Sequence, residues 1–417
     1  MRKKNVSKVA ESNLCCSCGV CKGACNKDAI SFLYGKEINI PVVDNSLCVD
    51  CGVCYDICPG KGIDIRLASD AIFSPEQNVA YNALCGYYVG AYASHSADKE
   101  IRYHSASGGT VTSFLCYLLR EGIVDGLVVT RYQKDNPIEP EPFIATTEQE
   151  ILSTRGSKYL VLSYDRVIEQ VKLFHGTVAI VGLPCQIQGF RMLAEKNRRV
   201  REKVKGYFAI YCSLTKTKHS MGYYLWRYGL KENEIGYFSF RDDGCLGYMK
   251  VEDKKGNLLK KVKYEKYWHG THSFFVNGRC SVCIDHFGEL ADISFGDIHV
   301  EPYSADTIGL NSVITRSTEW DAILRKCSET AVIDLKAIPI DDVLRSQPYA
   351  KIYKKGAGVV ANFNLRKLAG MSNPDYGGVC STAKPKIKNY IQESLKGVMR
   401  SMGHHRIFWP VIKFLDR

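Results

Sequence analysis

No run of about 18 apolar residues occurs anywhere in the chain, so a membrane-spanning helix is not expected. The N-terminus is basic, but the apolar stretch of a secretory signal is missing. Disordered and collagen-like classes are set aside by a composition that is 45% hydrophobic and 24% charged. Acidic residues are fewer than basic ones, 44 against 56, which gives a net charge of +12. That excess is uneven. Residues 1–10 carry four basic residues and no acid, and residues 382–417 carry eight against Glu393 and Asp416. The 371 residues between them are close to neutral, at +2. Such a body, without an aromatic–basic groove, does not read as a nucleic-acid binder, and no nucleic-acid partner is expected.

What the chain has in quantity is cysteine, 18 in 417 residues. At about 4% this is too little for a disulfide-built miniprotein. The expected compartment is the cytoplasm, where thiols stay reduced and clustered cysteines serve metals or redox chemistry. Nine of the 18 lie within residues 1–66, and eight of those form a repeat. Cys15, Cys18, Cys21 and Cys25 are spaced C-x2-C-x2-C-x3-C, and Cys48, Cys51, Cys54 and Cys58 repeat the spacing. This is the run that holds two [4Fe-4S] clusters, the fourth cysteine of each run ligating the other cluster. One cluster is expected on Cys15, Cys18, Cys21 and Cys58, and the other on Cys48, Cys51, Cys54 and Cys25. Gly19 and Gly52 would let each loop wrap closely. Structural zinc prefers paired knuckles with a long spacer and fits this pattern poorly. Cys16 reads as an incidental spare thiol.

Residues 67–82 read as a polar linker. From 83 to 345, short β-rich runs alternate with helical patterns. Strands are expected at 87–93, 126–131, 177–182, 206–212, 292–296 and 312–315, with helices at 110–121, 164–174, 186–198 and 317–329. The alternation predicts an α/β domain on a mixed, largely parallel sheet. Segment 235–264 reads as a hairpin turning at 254–257. In a parallel sheet, strand ends gather on one edge, so Cys185 and Cys212 could converge there and be completed by Cys280 and Cys283. Buried packing is the alternative for such cysteines. Ser107, Gly108, Gly109 and Thr110 open a helix, where bare amides suit a phosphate or a flavin. Gly156, Ser157 and Lys158, after Arg155, would suit a pyrophosphate. Each of the two segments would equally fit a plain turn or a solvated loop. Cys85, Cys116, Cys245, Cys327 and Cys380 lack partners at ligand spacing, and Cys116 and Cys327 fall in apolar helical patterns that read as core.

The paired cysteine runs, Ser107-Gly108-Gly109-Thr110, Gly156 to Tyr159, Gly182 to Gln186, Tyr211-Cys212, Cys280-x2-Cys283 and Ala291 to Asp297 occur in a telling order. It resembles the family of coenzyme F420 hydrogenase/dehydrogenase beta subunits, with a ferredoxin domain fused in front. The resemblance covers about residues 10–300. It implies a third [4Fe-4S] cluster on Cys185, Cys212, Cys280 and Cys283. It also implies FAD, rather than FMN, lined by Ser107, Gly108, Gly109 and Thr110, with Ser157 and Lys158 nearby. The expected layout is a bacterial-ferredoxin-like dicluster domain over 1–66, the linker, an α/β flavin and cluster domain over 83–345, and a basic helical extension over 346–417.

The function so implied is an iron–sulfur flavoprotein oxidoreductase. Electrons from reduced ferredoxin or a similar donor would pass through the clusters to a flavin that exchanges a hydride with a small organic substrate. The alternative is an electron-transfer subunit of a larger hydrogenase/dehydrogenase complex, using coenzyme F420 or another acceptor. A hydride acceptor gaining negative charge needs a proton donor or a cation. His104, Tyr159, Arg241 and His299 are the candidates, and Asp297 could pair with such a base or cap a turn. In the tail, Ile391, Leu395, Val398, Met399 and Met402 recur at helical spacing among lysines. Two readings stand: a helix docked on its own body or a partner protein, or one lying peripherally on the inner membrane face.

Overall fold

The computed structural model describes residues 4–76, 78–378 and 381–415. Its centre is an eight-stranded mixed sheet, ordered Ile333–Ala337, Gly90–Ser96, Asn311–Thr315, Ile293–Asp297, Val204–Ile210, Val178–Gly182, Gly126–Tyr132 and Pro140–Ala145. Three of the seven pairings are parallel, those joining Ile293–Asp297 through to Gly126–Tyr132. The remaining four are antiparallel, so the sheet is mixed but not largely parallel. The reason is connection length. Gly126–Tyr132 reaches Pro140–Ala145, and Ile293–Asp297 reaches Asn311–Thr315, without a crossover helix, and short returns pair antiparallel.

Alternation along the strands divides the core into two layers. Val128, Val178, Ile180, Tyr207 and Ala209 face one side, with Ile168, Ile187 and Phe190 of helices Val167–Leu173 and Pro184–Lys196. Leu127, Val129, Ala179, Phe208, Ile293 and Phe295 face the other, with Phe114 of Thr110–Arg120 and Trp320 of Thr318–Glu329. Phe208 lies edge-on to Phe114 at 5.7 Å and to Trp320 at 4.8 Å between ring centroids. Cys116 and Cys327 are buried in this second layer, as their patterns predict.

The cysteine repeat packs on the first layer through Val20 and Ile57. Each half has a glycine in the left-handed region, Gly19 at φ 80° and Gly52 at φ 78°, opening the short helices Val20–Gly23 and Val53–Asp56. A Cβ on Gly19 would come within 2.4 Å of the Asp165 amide nitrogen, so the close wrap is set against the central domain. The segment read as a linker instead carries helix Ile65–Phe73, with Asp64 capping Leu67 N–H at 2.9 Å and Phe73 buried. The predicted hairpin is there with one more strand: Ile235–Asp242, Tyr248–Asp253 and Leu258–Lys263 form an antiparallel meander. The tail is helical over Ile387–Gly403 and Trp409–Leu415. Among the described residues, no helix is long and apolar enough to cross a membrane.

Candidate functional site

Three groups of thiols form, and each gathers cysteines that the sequence separates. Burial pushes the Cys54 thiol up, and Cys51, Cys25 and Cys48 push it further. Burial likewise raises Cys21, with Cys58 and Cys15 adding to it, and pushes Cys15 to about 12. Cys25 thus lies among the thiols of the second run, and Cys58 among those of the first.

The third group lies where parallel strands end. Cys185 opens the helix that follows Val178–Gly182, and Cys212 follows its neighbour Val204–Ile210. Cys280 and Cys283 come from the 3-10 turn Gly278–Val282 and its cap. Burial raises Cys212, and Cys280, Cys185 and Cys283 raise it further, against the lowering effect of Lys354. Buried thiols that raise one another are unfavourable as a bare set and favourable around a polycation that displaces their protons. Backbone donors already point at sulfur: Ser17 N–H to Cys15 Sγ at 3.3 Å, Ala29 N–H to Cys25 Sγ at 3.3 Å and Thr215 N–H to Cys280 Sγ at 3.4 Å. The donor sets fit iron–sulfur clusters.

Cys16 is not an isolated spare. Its thiol sits between Cys18 and Cys185, so the first and third groups are neighbours. Adjacency to Cys15 carried no hint of this. Arg279, also missed in the sequence, is buried beside Cys280 and donates to Pro59 O at 2.8 Å, Gly60 O at 2.9 Å and Tyr376 Oη at 2.8 Å. It ties the turn after Cys58, the third group and the C-terminal extension together. Lys354, from the same extension, is 2% exposed and lines a cavity with Cys280 and Cys283. Burial alone would lower its pKa, but Cys283, Cys280 and Cys212 outweigh that and raise it. No carboxylate pairs with it among the described residues.

The glycine turn and the candidate acid–base residues also converge. Ser107 Oγ donates to Leu310 O at 2.6 Å, and Thr110 Oγ1 to Ser94 Oγ at 3.0 Å, so both hydroxyls are engaged within the protein. A Cβ on Gly108 would stand 2.7 Å from Ser94 O and 2.9 Å from the Asn311 amide nitrogen, and Gly109 is left-handed at φ 76°. The amides of Ala106 to Gly109 donate to no backbone carbonyl among the described residues, which fits an electron-rich group held at this turn. Gly156, at φ 80°, packs against Ser239 and Arg241. Lys158 donates to Thr154 O, Arg155 O and Gly156 O, and burial pushes its pKa down to about 7.

Arg241 is the hinge of this arrangement. It is 3% exposed and donates to Asp297 Oδ2 at 2.6 Å, Leu246 O at 2.9 Å and Cys245 Sγ at 3.5 Å. His299 Nε2 lies 3.2 Å from the same Asp297 oxygen. Tyr159 borders Arg241 and packs on Trp268 at 4.2 Å. Burial would raise the Asp297 carboxyl, but the Arg241 guanidinium, helped by His299, holds it well below the usual carboxylate range. His104 is one residue removed, bonded through Nδ1 to Asp242 at 2.8 Å. Cys245, unpartnered in the sequence reading, thus sits at Arg241 and against Gly309. Cys85 is buried, and Cys380 lies outside the described residues.

Two regions of the chain match models described as coenzyme F420 hydrogenase/dehydrogenase, beta subunit: residues 91–169 match the N-terminal part and 175–341 the C-terminal part. The coenzyme F420 hydrogenase subunit beta of Methanothermobacter thermautotrophicus is 30% identical over 294 residues, 68% of this chain and 92% of that protein. The protein of the same description from Methanosarcina barkeri is 27% identical over 316 residues, 69% of this chain and 97% of that protein. A chain of the xenon-derivatised F420-reducing [NiFe] hydrogenase complex from Methanosarcina barkeri superposes with a TM-score of 0.54 at 24% identity, covering 71% of this chain and 98% of that one, a likeness of fold. The matched regions carry the strand-end cysteines and the glycine turn, and by them the chain belongs to the family of coenzyme F420 hydrogenase/dehydrogenase beta subunits.

Proposed function

We propose that the chain is an electron-transfer oxidoreductase that couples three [4Fe-4S] clusters to a bound flavin. The observation that carries this is the continuity of donor groups through the fold. Cys51 is exposed, with Leu47 and Val49 exposed beside it, which suits docking of a small donor such as reduced ferredoxin. Inward from there the thiols run to Cys54 and Cys21, then across Cys16 to Cys185. The segment after Cys212 continues the line, Thr215 bonding Cys280 and Lys216 N–H donating to Tyr159 O at 2.8 Å. Cys48, Cys51, Cys54 and Cys25 would hold the outer cluster, Cys15, Cys18, Cys21 and Cys58 the inner one, and Cys185, Cys212, Cys280 and Cys283 the third.

The amides around Ser107, Gly108, Gly109 and Thr110, with Gly156, Ser157 and Lys158, would hold FAD. When bound, the flavin supplies exchange between one-electron and hydride chemistry. The chain's own part is electrostatic. Arg241, fixed by Asp297, offers a positive charge that needs no reorganisation when negative charge develops on a substrate oxygen. Tyr159, His299 and His104 stand at or beside it as proton carriers. Residues 1–66 serve as the dicluster unit and 83–345 as the flavin unit. Anaerobic purification, iron and flavin quantification and acceptor screening after photoreduction test the reading. About twelve irons and one flavin per chain are expected; absence of flavin overturns it.

A second reading, an electron-transfer subunit of a larger complex working with coenzyme F420, is favoured by relatives that are themselves named as subunits. It predicts clusters and flavin without substrate turnover until a partner is added. Turnover by the isolated chain decides against it.

A further inference from the structure

The helix Ile387–Gly403 buries only part of its apolar side: Met399 and Met402 pack on the core, but the rest of the inward face is polar. Glu393 is 6% exposed and accepts from Asn362 Nδ2 at 2.7 Å and from Lys396 Nζ at 2.7 Å. Gly403 fits tightly against the Phe275 backbone, where a Cβ would approach to 2.7 Å. The opposite side carries Ile387, Ile391, Leu395 and Val398, spaced by four, four and three residues, and these are 56–79% exposed. The chain then anchors itself by burying Trp409 and Ile412, and leaves Ile407, Phe414 and Leu415 in solvent.

Charge says what this apolar surface meets. Glu393 is the sole acid in residues 382–415, and it is buried. The exposed ions there are Lys384, Lys386, Lys388, Arg406 and Lys413, all positive. A second copy would bring the same excess of positive charge against itself, which disfavours self-association. An anionic surface with an apolar interior satisfies both halves of the pattern. We propose that residues 384–415 dock on an anionic lipid bilayer, the Ile387–Val398 stripe lying in the acyl boundary and the lysines among the headgroups. The redox body would then work at the bilayer surface, with no helix among the described residues crossing it.

The test is flotation of the full-length protein with vesicles of phosphatidylglycerol and phosphatidylcholine, and with phosphatidylcholine alone, at low and high salt. Flotation with the anionic vesicles, reversed by salt, is expected. The exposed substitutions I391E/L395E should abolish it while iron content stays at the wild-type level. K384Q/K386Q/K388Q should weaken binding roughly fivefold per lysine, on the order of a hundredfold together. Three results overturn the proposal: wild type that ignores anionic vesicles at low salt, either variant floating as wild type does, or a solution dimer that I391E/L395E makes monomeric.

Discussion

Replacing Asp297 by Asn keeps the shape of the side chain and removes its charge. Arg241 would remain 3% exposed, its Leu246 O and Cys245 Sγ contacts intact, with no counter-ion at 2.6 Å. Breaking a buried pair this way costs about 3–5 kcal/mol, and the low end, about 3, applies because the Asp297 side chain is 25% exposed. For a unit of roughly 150–250 residues this lowers the midpoint of thermal unfolding by roughly 6–12 °C. Anaerobic calorimetry at pH 7 on wild type and D297N measures it. The pH course gives a second reading. Because Arg241 depresses the folded-state carboxyl, the pair's stabilisation is complete above the ordinary carboxylate pKa of about 4 and is lost as pH falls through the lower folded value. The gap between the two proteins should therefore be flat through neutral pH and close only in acid. A shift under about 3 °C refutes the argument, and so does a gap that changes near the ordinary histidine pKa of about 6.5, which would hand the pairing to His299.

C185S should reduce iron from about twelve to about eight per chain and leave the signals of the N-terminal clusters unchanged; loss of all iron contradicts the separate third set. K354M removes the buried ammonium facing Cys280 and Cys283, and should move the midpoint potential of the third cluster to more negative values, whereas K354R should retain it. An unchanged potential in a redox titration of K354M would show that the charge is silent. G108A forces a Cβ against Ser94 O and Asn311, so flavin absorbance should fall well below stoichiometric while iron is kept. Full flavin content in that variant moves the cofactor away from this turn.

The N-terminal thiol groups were legible because most of their members are local: spacing on a short loop determines which sulfurs can meet. Cys185 and Cys212 were legible only as strand ends, and their meeting depended on Val178–Gly182 and Val204–Ile210 being neighbours in the sheet. Pro140–Ala145 escaped notice because Pro140 and Pro142 argue against a strand, and prolines are tolerated there only because the strand is at the sheet edge. Helix Ile65–Phe73 was hidden by a polar stretch whose burial falls on few side chains. The tail's helical period was evident, yet periodicity cannot say which face turns inward; that was decided by Met399 and Met402 on the core together with Glu393, Asn362 and Gly403. Arg279 and Lys354 carry no motif at all, since their meaning comes from segments far away in the chain.

Arg279 has a consequence for how electrons arrive. A separate ferredoxin must diffuse, dock in a productive orientation and leave, so its delivery depends on concentration and ionic strength. Here the guanidinium holds Pro59 and Gly60, one turn beyond Cys58, against the loop of Cys280, while Tyr376 closes over the same donor group. On the proposed route, the step from the N-terminal thiol groups to the strand-end thiols would therefore be fixed at folding. It would be a unimolecular event whose pace follows from the fold and not from collision frequency. Only the outermost step, at Cys51, would stay open to dilution or salt. Cutting the chain after residue 66 would not release a portable module, because Arg279 would keep its charge and lose both carbonyls that fix it in place.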